Sequence, residues 1–315
     1  MKKYVKELMK GDELADEVFA IEEIQQHKTQ TGDPYYNVTL QDKTGQIRAK
    51  IWAKFIENCE VEDLKRGDVV NIWGNIEEYR GNLQLVIKSL KFAETYDVSV
   101  LIQVSERDID QMWEDLMKRI NEMENKYLKD LLNNIFSDED VVAKYRSAPG
   151  GEYVHHGFVG GLLEHVWEMI DFAAPYQKYY PEADYDLVTA GIILHDIGKI
   201  IEINQVGTVF EFSTEGALLG HMQLGLELAD KNRPKDMPRK LWTHLAHIII
   251  SHNGMFAEQK PVTIEAAIVS VVDFGSSRVR QYQQQMKDGL EKPDEISQYS
   301  KFIESRVYIG DRVWE

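Results

Sequence analysis

The sequence predicts two unlike domains in tandem: a small barrel of five β-strands, then an all-α domain. Three observations carry this. Between Val18 and Leu90 apolar residues recur with a period of two, in runs separated by turns that contain glycine. From Glu106 onward the apolar period becomes helical. In that second part His165, His195 with Asp196, His221, His252 and Asp273 fall one group to each apolar helical segment or its end. The expected boundaries are residues 1–95 for the barrel, 96–150 for a linker and helical hairpin, 151–285 for the histidine-bearing domain and 286–315 for a C-terminal extension.

Val18 to Lys28 is the first strand, and Gly32-Asp33-Pro34 turns the chain. Tyr35 to Gln41 alternates Tyr36, Val38 and Leu40 against Tyr35, Asn37 and Thr39. Asp42-Lys43-Thr44-Gly45 is a hairpin turn with glycine where positive φ is needed. Gln46 to Trp52 follows, with Ile47, Ala49 and Ile51 on one face. Ala53 to Leu64 is expected as a short helix, Asp68 to Tyr79 as the fourth strand and Leu83 to Leu90 as the fifth, after the turn Arg80-Gly81-Asn82. Five strands with a helix between the third and fourth is the order of an OB-fold. That fold commonly holds single strands of nucleic acid on strands two and three and on the loops between strands one–two and four–five. Those places carry His27 to Asp33, Tyr35, Arg48, Lys50, Trp52, Tyr79 and Arg80, aromatic rings interleaved with cations, as base stacking beside a phosphate backbone requires. Tyr36, Trp52 and Trp73 have core packing as the competing role.

With 315 residues the chain is long enough for two cores. Its net charge of −17 argues against a blanket electrostatic grip on nucleic acid. The charge is uneven: residues 1–95 hold 14 Lys and Arg against 17 Asp and Glu, so most of the acidity lies with the histidines. No run is apolar enough to span a bilayer, and Glu7, Lys10 and Asp12 exclude a secretory apolar core near the N-terminus. The lone cysteine, Cys59, cannot form an internal disulfide and is expected in the core, which makes the cytoplasm the natural compartment.

Residues 106–136 read as two helices in a hairpin, Asp138 to Tyr145 as a short helix, and Ser147 to Gly151 as a break. His155 and His156 precede the next helix, and turn capping or packing is the favoured role for both. His165 sits within the helix 161–174, and His195-Asp196 ends the apolar helix 186–194. An unpaired imidazole and carboxylate buried there would be costly, and a divalent cation is one compensating partner. Lys199, three residues past Asp196, is placed to hold an anionic substrate. His244 reads as structural and His247 is ambiguous; Val262 to Arg280 is the Asp273 helix. Residues 281–315 look polar and mobile, with Tyr308 and Trp314 available to dock them back.

The order His, His-Asp, His, His, Asp resembles the HD superfamily of metal-dependent phosphohydrolases. Joined to an OB-fold, the runs HHGFVGGLLEH, LHDIGK, EGALLGH and ISHNG resemble the YhaM family of 3′–5′ exoribonucleases. The resemblance implies hydrolysis of single-stranded RNA, with single-stranded DNA as a further substrate, and a divalent ion: Mn2+ first, with Mg2+, Co2+ or Fe2+ as alternatives. It implies His165, His195, Asp196, His221, His252 and Asp273 as ligands, Asp196 and Lys199 as catalytic, no membrane partner, and room for a homo-oligomer.

This chain departs from the family at three places. His252-Asn253 stands where two histidines are usual, Glu258-Gln259-Lys260-Pro261 where a Gly-Ser-Pro stretch is usual, and Ser276 where a second aspartate is frequent. The first and last predict one ion held firmly by His165, His195, Asp196 and Asp273, and a weaker second site at His221 and His252. Two rival readings remain at the level of sequence: an HD phosphohydrolase of small nucleotides, and a single-strand-binding protein whose HD domain has lost its chemistry.

Overall fold

The computed structural model describes residues 2–151, 157–290, 295–301 and 303–310. Two compact units divide the chain. One comprises Met1–Gln103 with Gln205–Glu211, the other Val104–Asn204 with Phe212–Glu315.

The first unit is a closed barrel of β1 (Glu13–Lys28), β2 (Pro34–Asp42), β3 (Gly45–Trp52), β4 (Val69–Tyr79) and β5 (Asn82–Phe92) in the order β1-β2-β3-β5-β4. Only the β3–β5 pairing is parallel. Period-two alternation fixes the register. Val38 pairs with Ala49 and Leu40 with Ile47 on the inner face, while Tyr35 pairs with Trp52, Asn37 with Lys50 and Thr39 with Arg48 on the outer one. A slip of one residue would expose the whole inner set, and each such side chain is worth about 1.5–3 kcal/mol when buried. Phe19, Ile21, Ile72, Ile76, Leu85 and Ile87 complete the interior. β1 starts earlier than the alternation suggests. Register shifts between Leu14 and Glu17 and between Ile21 and Glu23 bend it, so that it pairs with β2 along one stretch and β4 along the other and closes the barrel. Cys59 is buried, and burial pushes its thiol up to about 11.

The helix expected at residues 53–64 is a 3-10 turn, Ala53–Asn58. Cys59 then bridges Leu90 in parallel and the Glu60 amide donates to the Leu90 carbonyl, so the backbone is drawn onto β5 before a helix can propagate.

The second unit is built from α1 (Ile109–Glu122), α2 (Lys126–Phe136), α3 (Glu139–Ser147), α4 (Gly161–Ala173), α5 (Tyr176–Tyr179), α6 (Tyr185–Leu194), α7 (Lys199–Glu202), α8 (Thr214–Asn232), α9 (Arg239–Ser251) and α10 (Ile264–Leu290). Asp108, Asn125, Asp138, Asp184 and Ser213 cap α1, α2, α3, α6 and α8 by accepting first-turn amides. α6 has no polar stripe. Leu187, Val188, Ala190, Ile192, Ile193 and Leu194 are all buried, so it runs through the core and delivers its C-terminal end to the interior. Two differences from expectation stand out. A short hairpin, β6 (Ile203–Val206) and β7 (Val209–Phe212), interrupts the helices, and α10 continues ten residues past Arg280 through a stretch whose polarity suggested mobility. No helix among the described residues is long and apolar enough to cross a membrane.

Candidate metal centre and the aromatic face of the barrel

Five helices bring six side chains together. α4 supplies His165, the end of α6 supplies His195 and Asp196, α8 supplies His221, the end of α9 supplies His252 and α10 supplies Asp273. They form two triads, His165–His195–Asp273 and Asp196–His221–His252, with ligand atoms within 4.8 Å of one another in each. Asp196 faces both. Its Oδ2 lies 3.2 Å from His195 Nε2, while its Oδ1 lies 3.4 Å from His221 Nε2 and 3.7 Å from His252 Nε2. Asp273 Oδ1 is 3.2 Å from His165 Nε2. All the residues expected as ligands therefore meet at one place.

The outer nitrogens settle which way each imidazole points. His195 Nδ1 donates to the Ile192 carbonyl and His252 Nδ1 to the Ile249 carbonyl, each at 2.7 Å. A carbonyl only accepts, so Nδ1 carries the proton and the Nε2 lone pair faces inward. His221 Nδ1 meets Glu202 Oε1 at 3.2 Å, and the same oxygen accepts the His221 amide at 2.9 Å. His165 Nδ1 lies 3.2 Å from Ser276 Oγ, which in turn donates to Glu168 Oε2 at 3.4 Å. Glu168 and the buried Glu164 are neutralised by Arg280 and Arg107.

The inward lone pairs fit a cation. Asp196 Oδ1 is buried and makes no hydrogen bond among the described residues, a costly state for a carboxylate oxygen, and the buried His195 Nε2 faces the other Asp196 oxygen at 3.2 Å. Two imidazoles and a carboxylate oxygen in each triad form a donor set suited to first-row divalent ions.

The titration of these groups follows from burial and mutual charge. Burial pushes Asp196 upward, but Lys199 and His195 overcome it and hold the carboxyl well below its usual range. Burial likewise opposes ionisation of Asp273, and the hydrogen bond with His165 and the charge of His195 outweigh it. Burial lowers His195, yet Asp196 and Asp273 raise it overall. His252 goes the other way: burial first, then the charge of His195, brings it down to about 4.

Backbone geometry aims His221. α8 is two helical pieces across a break at Gly220, where φ is 73° and ψ 160°. Gly198, just past the doublet, lets α7 touch α8: a Cβ there would fall 1.9 Å from the His221 carbonyl oxygen and 2.6 Å from the Gly225 nitrogen. Tyr145, wholly buried, donates to the Ile193 carbonyl at 3.0 Å and so pins the end of α6.

Lys199 was expected on the substrate. Its ammonium lies 2.5 Å from Asp196 Oδ2 and also donates to the Gly150 carbonyl. His244 pairs with Glu265 at 3.1 Å and His247 Nε2 accepts the Val262 amide at 3.0 Å, so both are engaged outside the triads. His155, His156 and Trp314 lie outside the described residues, and Tyr308 bridges Ile296 while remaining exposed. Glu202, Glu168 and Arg280 were not foreseen. Glu202 had a signal: a carboxylate inside Ile200-Ile201-Glu202-Ile203 needs a partner.

Tyr35 and Trp52 lie side by side on the barrel's outer face, ring centroids 5.4 Å apart, and His27 stacks on Tyr35 at 5.5 Å. Lys50 Nζ sits 5.0, 4.8 and 5.9 Å from the rings of Tyr35, Trp52 and Tyr79. Tyr79 is 56% exposed, and Arg80, at φ 53° in the β4–β5 turn, lies over its ring. Arg48 is exposed on the same face as Lys50. Trp73 is half-buried, whereas Tyr36 packs against the core.

Comparison with known proteins agrees with both halves. Residues 162–274 match the model of the HD domain, and residues 14–93 match that of the OB-fold nucleic acid binding domain, tRNA_anti-codon. Among solved structures, the chain resembles the second OB-fold domain of replication protein A from Methanococcus maripaludis, at 18% identity over 31% of this chain and 99% of that one, with a TM-score of 0.24. It also resembles the mitochondrial single-stranded DNA binding protein Rim1 from S. cerevisiae, at 15% identity over 28% and 100%, with a TM-score of 0.23. A third is the OB domain of a Thermoplasma acidophilum protein, at 17% identity over 30% and 89%, with a TM-score of 0.24. The chain thus carries an N-terminal OB barrel of the nucleic-acid-binding type and an HD domain, the domain type of metal-dependent phosphohydrolases.

Proposed function

We propose that the protein is a metal-dependent phosphodiesterase that shortens single-stranded RNA from its 3′ end, with single-stranded DNA as a further substrate. The observation that carries this is the pair of triads sharing Asp196, in a chain whose barrel also displays an unbroken row of rings and cations. A small-nucleotide substrate would have no use for that row. The polarity, and RNA as the main substrate, follow from the resemblance of the HD-domain motifs to the YhaM family.

His165, His195 and Asp273 would hold one divalent ion, Mn2+ in the first instance, and Asp196, His221 and His252 a second. Such ions supply Lewis acidity toward phosphoryl oxygens and make water a better nucleophile at neutral pH. The chain's own contribution is orientation. The Ile192 and Ile249 carbonyls fix two imidazoles, Asp196 keeps a charged oxygen toward each triad, and Lys199 balances that charge. Tyr35, Trp52 and Tyr79 offer flat faces to successive bases while Lys50, Arg48 and Arg80 meet phosphates.

The test uses 5′-labelled RNA bearing either a free or a blocked 3′ end, incubated with Mn2+. A ladder shortening from the free end, abolished by EDTA and by Asp196→Ala while RNA is still bound, is the expected result. Cleavage that ignores the block, or that survives chelation, would refute it.

A further inference from the structure

The two triads differ in what stands behind their histidines. One imidazole of each, His195 or His252, rests on a backbone carbonyl. The other is held by a side chain: His165 through the Ser276 hydroxyl to Glu168, and His221 directly by Glu202. Glu168 is neutralised by two arginines, Arg107 and Arg280. The carboxylate side chain of Glu202 is only 10% exposed and lies against His221 itself.

We propose that Glu202 is the positioning residue of His221, and through it of the cation site Asp196–His221–His252. The inference rests on the reading of the two triads as metal sites. Three observations support it. A single oxygen, Glu202 Oε1, receives both the ring Nδ1, at 3.2 Å, and the backbone amide of His221, at 2.9 Å, so ring and chain are tied to one point. That amide is the first one after the Gly220 break, where helical hydrogen bonding no longer fixes the backbone. Glu202 is itself anchored on both sides. Its amide donates to the Gly198 carbonyl at 2.9 Å, its carbonyl accepts the Ser213 amide at 2.8 Å, and a Cβ on Gly216 would fall 2.4 Å from that carbonyl oxygen.

Charge gives Glu202 a second task. Asp196 is the one carboxylate of this triad, and the Lys199 ammonium lies 2.5 Å from its Oδ2. The pair is close to neutral and attracts a cation weakly. A carboxylate behind the imidazole restores negative charge at short range and makes Nε2 a stronger donor to a metal. Burial keeps solvent from screening it.

The experiment follows Mn2+ uptake by the electron paramagnetic resonance signal of free Mn2+ at equilibrium, with no turnover involved. The chains are the unmodified protein, Glu202→Gln, Glu202→Ala, His221→Ala and the double variant Glu202→Gln with His221→Ala. Glutamine keeps a neutral acceptor for the His221 amide and removes the charge. The unmodified protein should show two classes of site. Glu202→Gln should weaken one class about 10–100-fold and leave the other within about twofold, with Glu202→Ala weaker still at the same class. In the His221→Ala background Glu202→Gln should cost clearly less than it does alone, because most of its effect passes through that ring. Two classes left unchanged by Glu202→Gln, both falling together, or a full additional loss in the double variant would each overturn the role of Glu202. Fewer than two classes in the unmodified protein would instead overturn the pair of metal sites on which the inference stands.

Discussion

Trp52→Ala is the sharpest test of the barrel's face. The indole lies 5.4 Å from the Tyr35 ring and 4.8 Å from Lys50 Nζ, so its loss removes one end of the row His27–Tyr35–Trp52 and one of the three rings beside the cation. Stacking on an exposed aromatic is worth about 1–3 kcal/mol per base, which converts to an increase of about 5- to 150-fold in Kd. Tyr35→Ala alone should fall in the same range. The double variant should lose less than the sum, because the two rings touch and organise each other. Lys50→Ala should lower the slope of log K against log salt by about 0.7, one phosphate contact on a single strand. The assay is fluorescence anisotropy of a labelled oligouridylate with EDTA present, so that binding is read without cleavage. A thermal melt guards against unfolding; the inner-face residues Val38, Ala49 and Ile51 are untouched by these changes. The reasoning fails if Trp52→Ala leaves Kd unchanged, or if it weakens a dinucleotide as much as a long strand.

Two further outcomes concern the metal centre. In EDTA, His252 accepts a proton only near pH 4 when folded but near its ordinary 6.5 when unfolded, so the unfolded chain binds more protons between those values. The contribution of a neutral His252 to stability is therefore complete above pH 6.5 and is lost as pH drops toward 4, by up to about 1.4 kcal/mol per unit. His252→Gln should flatten that stretch of the denaturant-midpoint profile, and an unchanged slope would contradict the sign. Asn253 is exposed, and its amide lies 3.8 Å from the Met222 sulfur. Asn253→His should raise the Mn2+ content per chain and lower the Mn2+ needed for half-maximal rate. Two tightly held ions in the unmodified protein would refute that expectation.

The barrel was legible because its inner and outer residues alternate without a break through β2 and β3, and alternation has only one folded meaning. The 53–64 segment misled because its composition suits a helix, while the decision lay in a backbone bridge from Cys59 to Leu90, which no local pattern announces. The six candidate ligands were legible through a resemblance, because their order along the chain is similar to that of the HD superfamily. Their division into two triads was not, since it depends on which oxygen of Asp196 faces which ring. Ser276 looked like a missing carboxylate; its hydroxyl instead links His165 to Glu168. Lys199 was placed next to Asp196 by spacing alone, but its reach to the Gly150 carbonyl needed the third dimension.

Gly198 changes how intactness should be judged in chains of this kind. Its site tolerates no added atom, because even a methyl group would strike the His221 carbonyl. A lineage could keep all six candidate ligand side chains and, with alanine at 198, still force α8 away from Asp196. Such a chain would pass inspection by motif while its second triad no longer closed. Decay of this domain can thus begin at a residue with no chemistry of its own, and what is inherited there is an empty volume.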